Sequence, residues 1–208
     1  YYNPNPFLLS IITPYKEQSF KISEINPNIF WLQDKNKATN DLHKFLWLNL
    51  IDRKIDGKNL KKIIYIWMLK NSKYKKKNWG NSTISSRVIS WLLNIDIILD
   101  NGTFDFKKNF LNSVVLQTNH LKKNIRFEKN YLKKIKILSA LMLSGMVFKE
   151  YGENYNIAIK ELEILVKDFF DKDGFPYSRS PNDLTIFTRY LILCRKIIKD
   201  GQKYVPEF

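Results

Sequence analysis

At 208 residues, 44% of them hydrophobic, the chain can bury one sizeable core, and nothing in its composition demands a second domain. Its 35 Lys and Arg against 20 Asp and Glu leave a net charge of +15, which favours an acidic partner (nucleic acid, an anionic lipid surface or a uronic-acid polysaccharide) and disfavours a basic one. The single cysteine, Cys194, excludes an internal disulfide, and two distant histidines with no acidic pair at metal-ligand spacing give no support for a zinc site, so neither metal nor cofactor is expected.

The charge admits a second reading, because the chain is heavy in Lys, Asn and Ile together, a combination that AT-rich coding produces without selection for any ligand. The longest apolar stretches, such as residues 138–148, fall well short of the ~20 residues that span a bilayer, and no transmembrane helix is expected. Residues 7–13 are apolar but short, have no basic stretch before them and run into Pro14 instead of a small-residue cleavage pattern. None of these features assigns a compartment.

Pro4, Pro6, Pro14 and Pro27 among scattered aromatics predict an extended N-terminal arm over 1–37, packed on a helical domain over 38–208. Asn40 is placed to cap a first helix running to about Ile55, with Leu42, Phe45, Leu46 and Asn49 on one stripe and Gly57 to break it. A second helix is expected over 60–71. Ser82 or Thr83 caps a third that runs to about Leu99, Asn101-Gly102 ends it, and a fourth spans 106–124. The fifth, from Glu128 to about Lys149, carries Ile135, Leu138, Met142 and Val147. Ser139, Ala140, Ser144 and Gly145 form its second face, where missing bulk lets other helices approach, as on an inner helix. Helices over 154–170 and 182–199 complete the set, the last with Cys194 on its apolar face. No stretch sustains the period-2 alternation of a half-buried strand, so the chain reads as all-α. Short connections imply antiparallel helical hairpins, either stacked as a solenoid or curled into an incomplete toroid.

The loop between the last two helices, residues 173–181, combines Gly174, Pro176 and Pro181 with Arg179, which predicts a semi-rigid rim presenting a guanidinium to a carboxylate or sulfate. Trp79, in a loop after Lys73-Tyr74-Lys75-Lys76-Lys77, is expected as an exposed aromatic beside cations, suited to an acidic sugar chain; the same run also suits a phosphate backbone or a solvated linker. Trp47, Trp67 and Trp91 fall on apolar stripes and are expected in the core. Arg87, in a helix between Trp79 and Trp91, either contacts substrate or binds a helix C-terminus or core carboxylate. Asn119 and His120 lie inside a predicted helix, as packing residues or as substrate contacts.

The run Trp79-Gly80-Asn81-Ser82-Thr83-Ile84-Ser85-Ser86-Arg87-Val88-Ile89-Ser90-Trp91 resembles the W…S.R…W signature in the helical domain of the heparinase II/III-like polysaccharide lyases. Gln117-Thr118-Asn119-His120-Leu121, the small-residue helix ending Leu141-Met142-Leu143-Ser144-Gly145, and Gly174-Phe175-Pro176-Tyr177-Ser178-Arg179 follow in the order of its alphaproteobacterial members. The resemblance implies an incomplete α/α toroid, followed in full-length members by a β-sandwich domain that this chain lacks. It also implies β-elimination on an acidic, uronate-containing polysaccharide and a periplasmic or cell-envelope location. A base takes the proton α to the uronate carboxyl while neighbouring groups neutralise that carboxylate. Arg179, which matches a family motif, and Tyr177, Asn130 and Tyr131, which stand at neighbouring positions with Asn130-Tyr131 in register only if two residues are inserted, are the candidate catalytic or carboxylate-binding groups, with Trp79, Arg87, His120 and Asn119 as substrate contacts. Arg179-Ser180-Pro181 matches a family motif, whereas Asp183 and Leu184 stand at its tyrosine and histidine positions, and Leu132-Lys133 stand where many relatives have Asn-His. The expected partners are an acidic polysaccharide and the sandwich domain, without nucleic acid or membrane, and the isolated domain is expected to be inactive. The second reading is a non-catalytic helical module binding an acidic polymer, glycan or nucleic acid.

Overall fold

Helices begin where side chains satisfy the first backbone N–H groups. Thr103 Oγ1 accepts from the Phe106 amide at 3.3 Å, Asn130 Oδ1 from Lys133 at 2.9 Å and Ser180 Oγ from Asp183 at 3.3 Å, the last followed by Pro181. The computed structural model describes residues 2–13, 26–27, 31, 39–51, 58–74 and 78–207. Its α-helices are α1 Thr39–Leu42, α2 Lys58–Lys70, α3 Asn81–Leu93, α4 Ile95–Leu99, α5 Phe104–Asn124, α6 Tyr131–Val147, α7 Gly152–Phe169 and α8 Pro181–Asp200. Among the described residues there is no strand, and an isolated bridge joins Phe170 to Pro176. The all-α class follows.

Three helices run side by side in one direction. Ser82 near the start of α3 meets Lys136 early in α6, Lys136 lies over Tyr190 of α8, and one turn on Ser139 meets Cys194. The other two long helices run the opposite way. On α5, Gln117 meets Arg87 and Phe110 meets Trp91; on α7, Asn154 meets Ser144 and Glu161 meets Lys134. Helix α6 is central: it packs on α3, α5, α7 and α8, and Ile137 through Ser144 are buried without a break. Its small face works as expected from its composition. A Cβ on Gly145 would stand 2.4 Å from the Tyr155 amide nitrogen, so α7 approaches there only because that atom is missing.

Two expected elements are interrupted. The predicted helix from Asn40 stops at Leu42; Phe45 adopts φ 57° and is wholly buried, and a 3₁₀ turn, Leu46–Leu50, follows. The positive φ is sustained by packing, since the Phe45 ring lies 5.1 to 5.7 Å from Trp31, Trp47, Trp67 and Trp91. Ile55 and Gly57 fall outside the described residues. The predicted third helix starts earlier, after Gly80 and not at Ser82 or Thr83, and divides at Asn94, whose side chain donates to the Ser90 carbonyl. The arm is also more regular than expected. Asn5 caps a 3₁₀ helix, Pro6–Ile11, that buries Leu8 and Leu9 against α3, α8 and Leu46–Leu50; Pro14 lies outside the described residues.

Candidate functional site

The starts of α3, α6 and α8 share one end of the molecule, here called the mouth. Asn81 donates to Glu128 Oε2 at 3.1 Å while Glu128 Oε1 accepts from the Asn130 amide, which ties the entrance of α3 to that of α6. The Asn130 side-chain oxygen is committed to capping α6. Tyr131, 44% exposed, packs its ring edge-on against Phe169, and the Phe169 carbonyl accepts from the Tyr177 amide at 3.1 Å. Two tyrosines from distant segments therefore share one rim, with the Tyr177 side chain exposed.

The loop carrying Tyr177 is built around Asp171. Its carboxylate accepts from the amides of Asp173 at 3.0 Å and Phe175 at 2.9 Å, and these bonds to the backbone and the adjacent guanidinium hold its pKa below the usual carboxylate range. Gly174 takes φ 79° and Arg179 φ 52°, so the turn is as shaped as its glycine and prolines imply. Arg179 has a partner within its own loop: its Nη2 lies 2.6 Å from Asp171 Oδ2 and its guanidinium sits over Phe175, while its side chain remains 63% exposed.

Trp79 is placed differently from expectation, and of the two roles open to Arg87 the structure shows a buried, structural one. Arg87 is wholly buried: Nε donates to Gln117 Oε1 at 2.6 Å, Nη1 to the carbonyls of His43 at 2.9 Å and Asn78 at 3.2 Å, and the guanidinium lies 4.2 Å from the Trp67 ring centre. Burial without a carboxylate pushes its pKa down to about 9. It cannot touch a ligand; it clamps the two loops that lead into the mouth. Trp79 is buried, its indole donating to the Asn71 carbonyl, and the exposed aromatic is Tyr74. His120 is half-buried between them at 5.8 Å from each ring, and desolvation lowers its pKa. Asn119 is exposed on α5, and Lys75, Lys76 and Lys77 lie outside the described residues. The structure thus links Tyr131 and Tyr177 through Phe169, with Asn130 and Arg179 next to them along the chain, and separates from them Arg87 in the core and the Trp79, His120 and Asn119 group beside α5.

The sequence reading missed a cationic group inside the mouth. Lys136 Nζ lies 3.4 Å from Ser82 Oγ and 5.7 Å from the Tyr190 ring centre, and its pKa is lowered by burial and then by the charges of Lys44 and Lys133. Tyr190 is buried with its hydroxyl bonded to Ser86, and burial raises its pKa to about 12. One signal was available: Lys133 and Lys136 stand three apart on a helix otherwise apolar from Ile135 onward. No family model, curated protein or solved structure matches the chain.

Proposed function

We propose that this chain is the helical, substrate-cradling domain of a heparinase II/III-like lyase, acting by β-elimination on an acidic, uronate-containing polysaccharide. The link between Tyr131 and Tyr177 through Phe169, with Asn130 and Arg179 beside them in the chain, carries the reading, since the two tyrosines come from separate segments of the sequence. Support comes also from the helix order. α3, α6 and α8 as an inner row, with α5 and α7 returning outside, is the alternation that an incomplete α/α toroid repeats.

The chemistry asks for a proton acceptor at the uronate α-carbon and positive charge at its carboxylate. Tyr131 and Tyr177 are the exposed phenols on the rim, and the lysines within the mouth supply the charge. Removal of the α-proton places an electron pair that forms the ring double bond and expels the glycosidic oxygen, which takes up a proton. A single phenol serves both transfers when it lies on the side of the leaving oxygen.

The test is ultraviolet absorbance of the unsaturated uronate, with the full-length protein against alginate, pectate, hyaluronan and heparan sulfate. Elimination that either Tyr131→Phe or Tyr177→Phe reduces by roughly 10²- to 10⁴-fold is the expected result. The pairing of Arg179 with Asp171, and Asp183 and Leu184 at the motif's tyrosine and histidine positions, favour a second reading, a non-catalytic module for an acidic polymer. Salt-sensitive binding with no absorbance on any substrate would replace the first reading by the second.

A further inference from the structure

Lys136 lacks the carboxylate partner that three other partly buried lysines of this fold have. Lys44 pairs with Asp41 at 2.7 Å, Lys122 with Glu153 at 2.7 Å and Lys134 with Glu161 at 3.0 Å, and each, like Lys136, keeps part of its side chain in water. Among the described residues no carboxylate lies within ion-pair distance of Lys136. Its surroundings are a hydroxyl from α3, an aromatic ring from α8 and two further ammonium groups, Lys133 on its own helix and Lys44 on the turn after α1. Removing a cation from water among like charges costs stability, and nothing in the packing of α6 requires a lysine there.

The neighbouring backbone has the same sign. Gly80 caps α3 with no side chain, the amides of Thr83 and Ile84 already bond to its carbonyl, and Ser82 stands in this first turn. The positive end of a 13-residue helix therefore meets the ammonium groups at the Ser82 hydroxyl. A site with donors and positive charge but no acceptor of negative charge is complementary to an oxyanion.

We infer that Lys136, Lys133 and the Ser82 hydroxyl form an oxyanion-binding subsite within the mouth, taking a carboxylate or a sulfate group. Lys136 supplies the desolvated charge, Lys133 a solvated second charge, and Ser82 a directional donor at the head of α3. The subsite does not depend on elimination taking place, since it concerns binding alone.

Calorimetric titration of the whole chain with inorganic sulfate and, separately, glucuronate at low ionic strength tests it, with thermal unfolding beside it. Wild type is expected to gain roughly 5 °C in Tm at saturating anion, relative to chloride at matched ionic strength. Lys136→Met is expected to abolish that gain, and Lys133→Met, at an exposed position where folding is not at stake, to weaken binding about tenfold. Lys160→Met, an exposed lysine on α7, is expected to leave binding unchanged. Without anion, Lys136→Met is expected to unfold at the same or higher temperature, as loss of an uncompensated charge requires. Whichever anion binds more tightly identifies the group recognised. An equal gain for sulfate in wild type and both mouth variants, the general effect of an excluded salt, overturns the subsite, as does absence of binding. Anion binding without elimination sinks the lyase and leaves the subsite standing; elimination with an unchanged KM in Lys136→Met does the reverse.

Discussion

The two ends of the parallel helices α3, α6 and α8 differ in what their charges lack. At the far end, cavities of about 600 and 760 Å³ lie on either side of Tyr2, one lined by Asp200, Lys149 and Lys203, the other by Asp96, Asp100, Ile97 and Phe148. Both signs are present there, and the raised pKa of Tyr2, about 12, reflects burial and then the charge of Asp200. At the mouth, Arg179 on the rim pairs with Asp171, while among the described residues Lys136 inside has like charges for neighbours and no carboxylate within ion-pair distance. The lesson is that empty volume and uncompensated charge mark different places. The two spaces beside Tyr2 lie against the arm; the groups able to attract an acidic ligand stand where the helices begin.

The comparison can be broken most severely at Arg87, because its guanidinium holds the carbonyls of His43 and Asn78, next to Lys44 and close before Gly80. Arg87→Met is expected to cost about 3 to 5 kcal/mol in denaturant unfolding, since three buried acceptors lose their donors. Hydrogen exchange should show the loss of protection at the start of α3 before the far end; uniform loss would separate Arg87 from the mouth. The far end is broken by Gly145→Ala, whose methyl group must push Tyr155 and α7 away from α6, at a cost of about 1 to 3 kcal/mol. Binding of acidic polymer at temperatures well below Tm should survive this change if the mouth is the binding end, and affinity measured by salt-dependent titration decides it.

The smallest effect concerns His120, on the outer side of the mouth. Its folded pKa lies below the unfolded value because it is desolvated, so the unfolded chain binds its proton first as pH falls. Its contribution is complete above the unfolded value of 6.5 and is lost as pH falls below it, and His120→Gln should flatten that part of a Tm profile. A profile unchanged by the substitution would mean that the Tyr74 and Trp79 rings do not keep water from the imidazole.

Most of the helices were legible because their signals are local. Lys58–Lys70, Phe104–Asn124 and Pro181–Asp200 lie within two residues of the expected bounds, where periodic apolar positions and capping side chains agree. The failures are equally specific. His43 to Phe45 reads as helix on its own, yet its conformation is decided by four tryptophans and by an arginine whose positions are distant in the chain. The candidate site was legible as residue types and as an order of motifs, which sufficed to name the rim tyrosines. Arg87 and Trp79 looked available because an arginine and a tryptophan after lysines are usually at a surface.

The amino-acid order alone determined the all-α class, the helix starts at Thr103, Asn130 and Ser180, and the close-packing face of α6, because each depends on groups a few residues apart. Tertiary structure alone decided that Asp171 claims Arg179, that Arg87 is walled in, and that Lys136 has no counter-charge among the described residues. The reason is the range of the forces involved. A cap or an apolar stripe is complete within a turn or two of helix, whereas the free energy of a charge depends on every group that replaces water around it, and for Lys136 those groups are contributed by residues 44, 82 and 190.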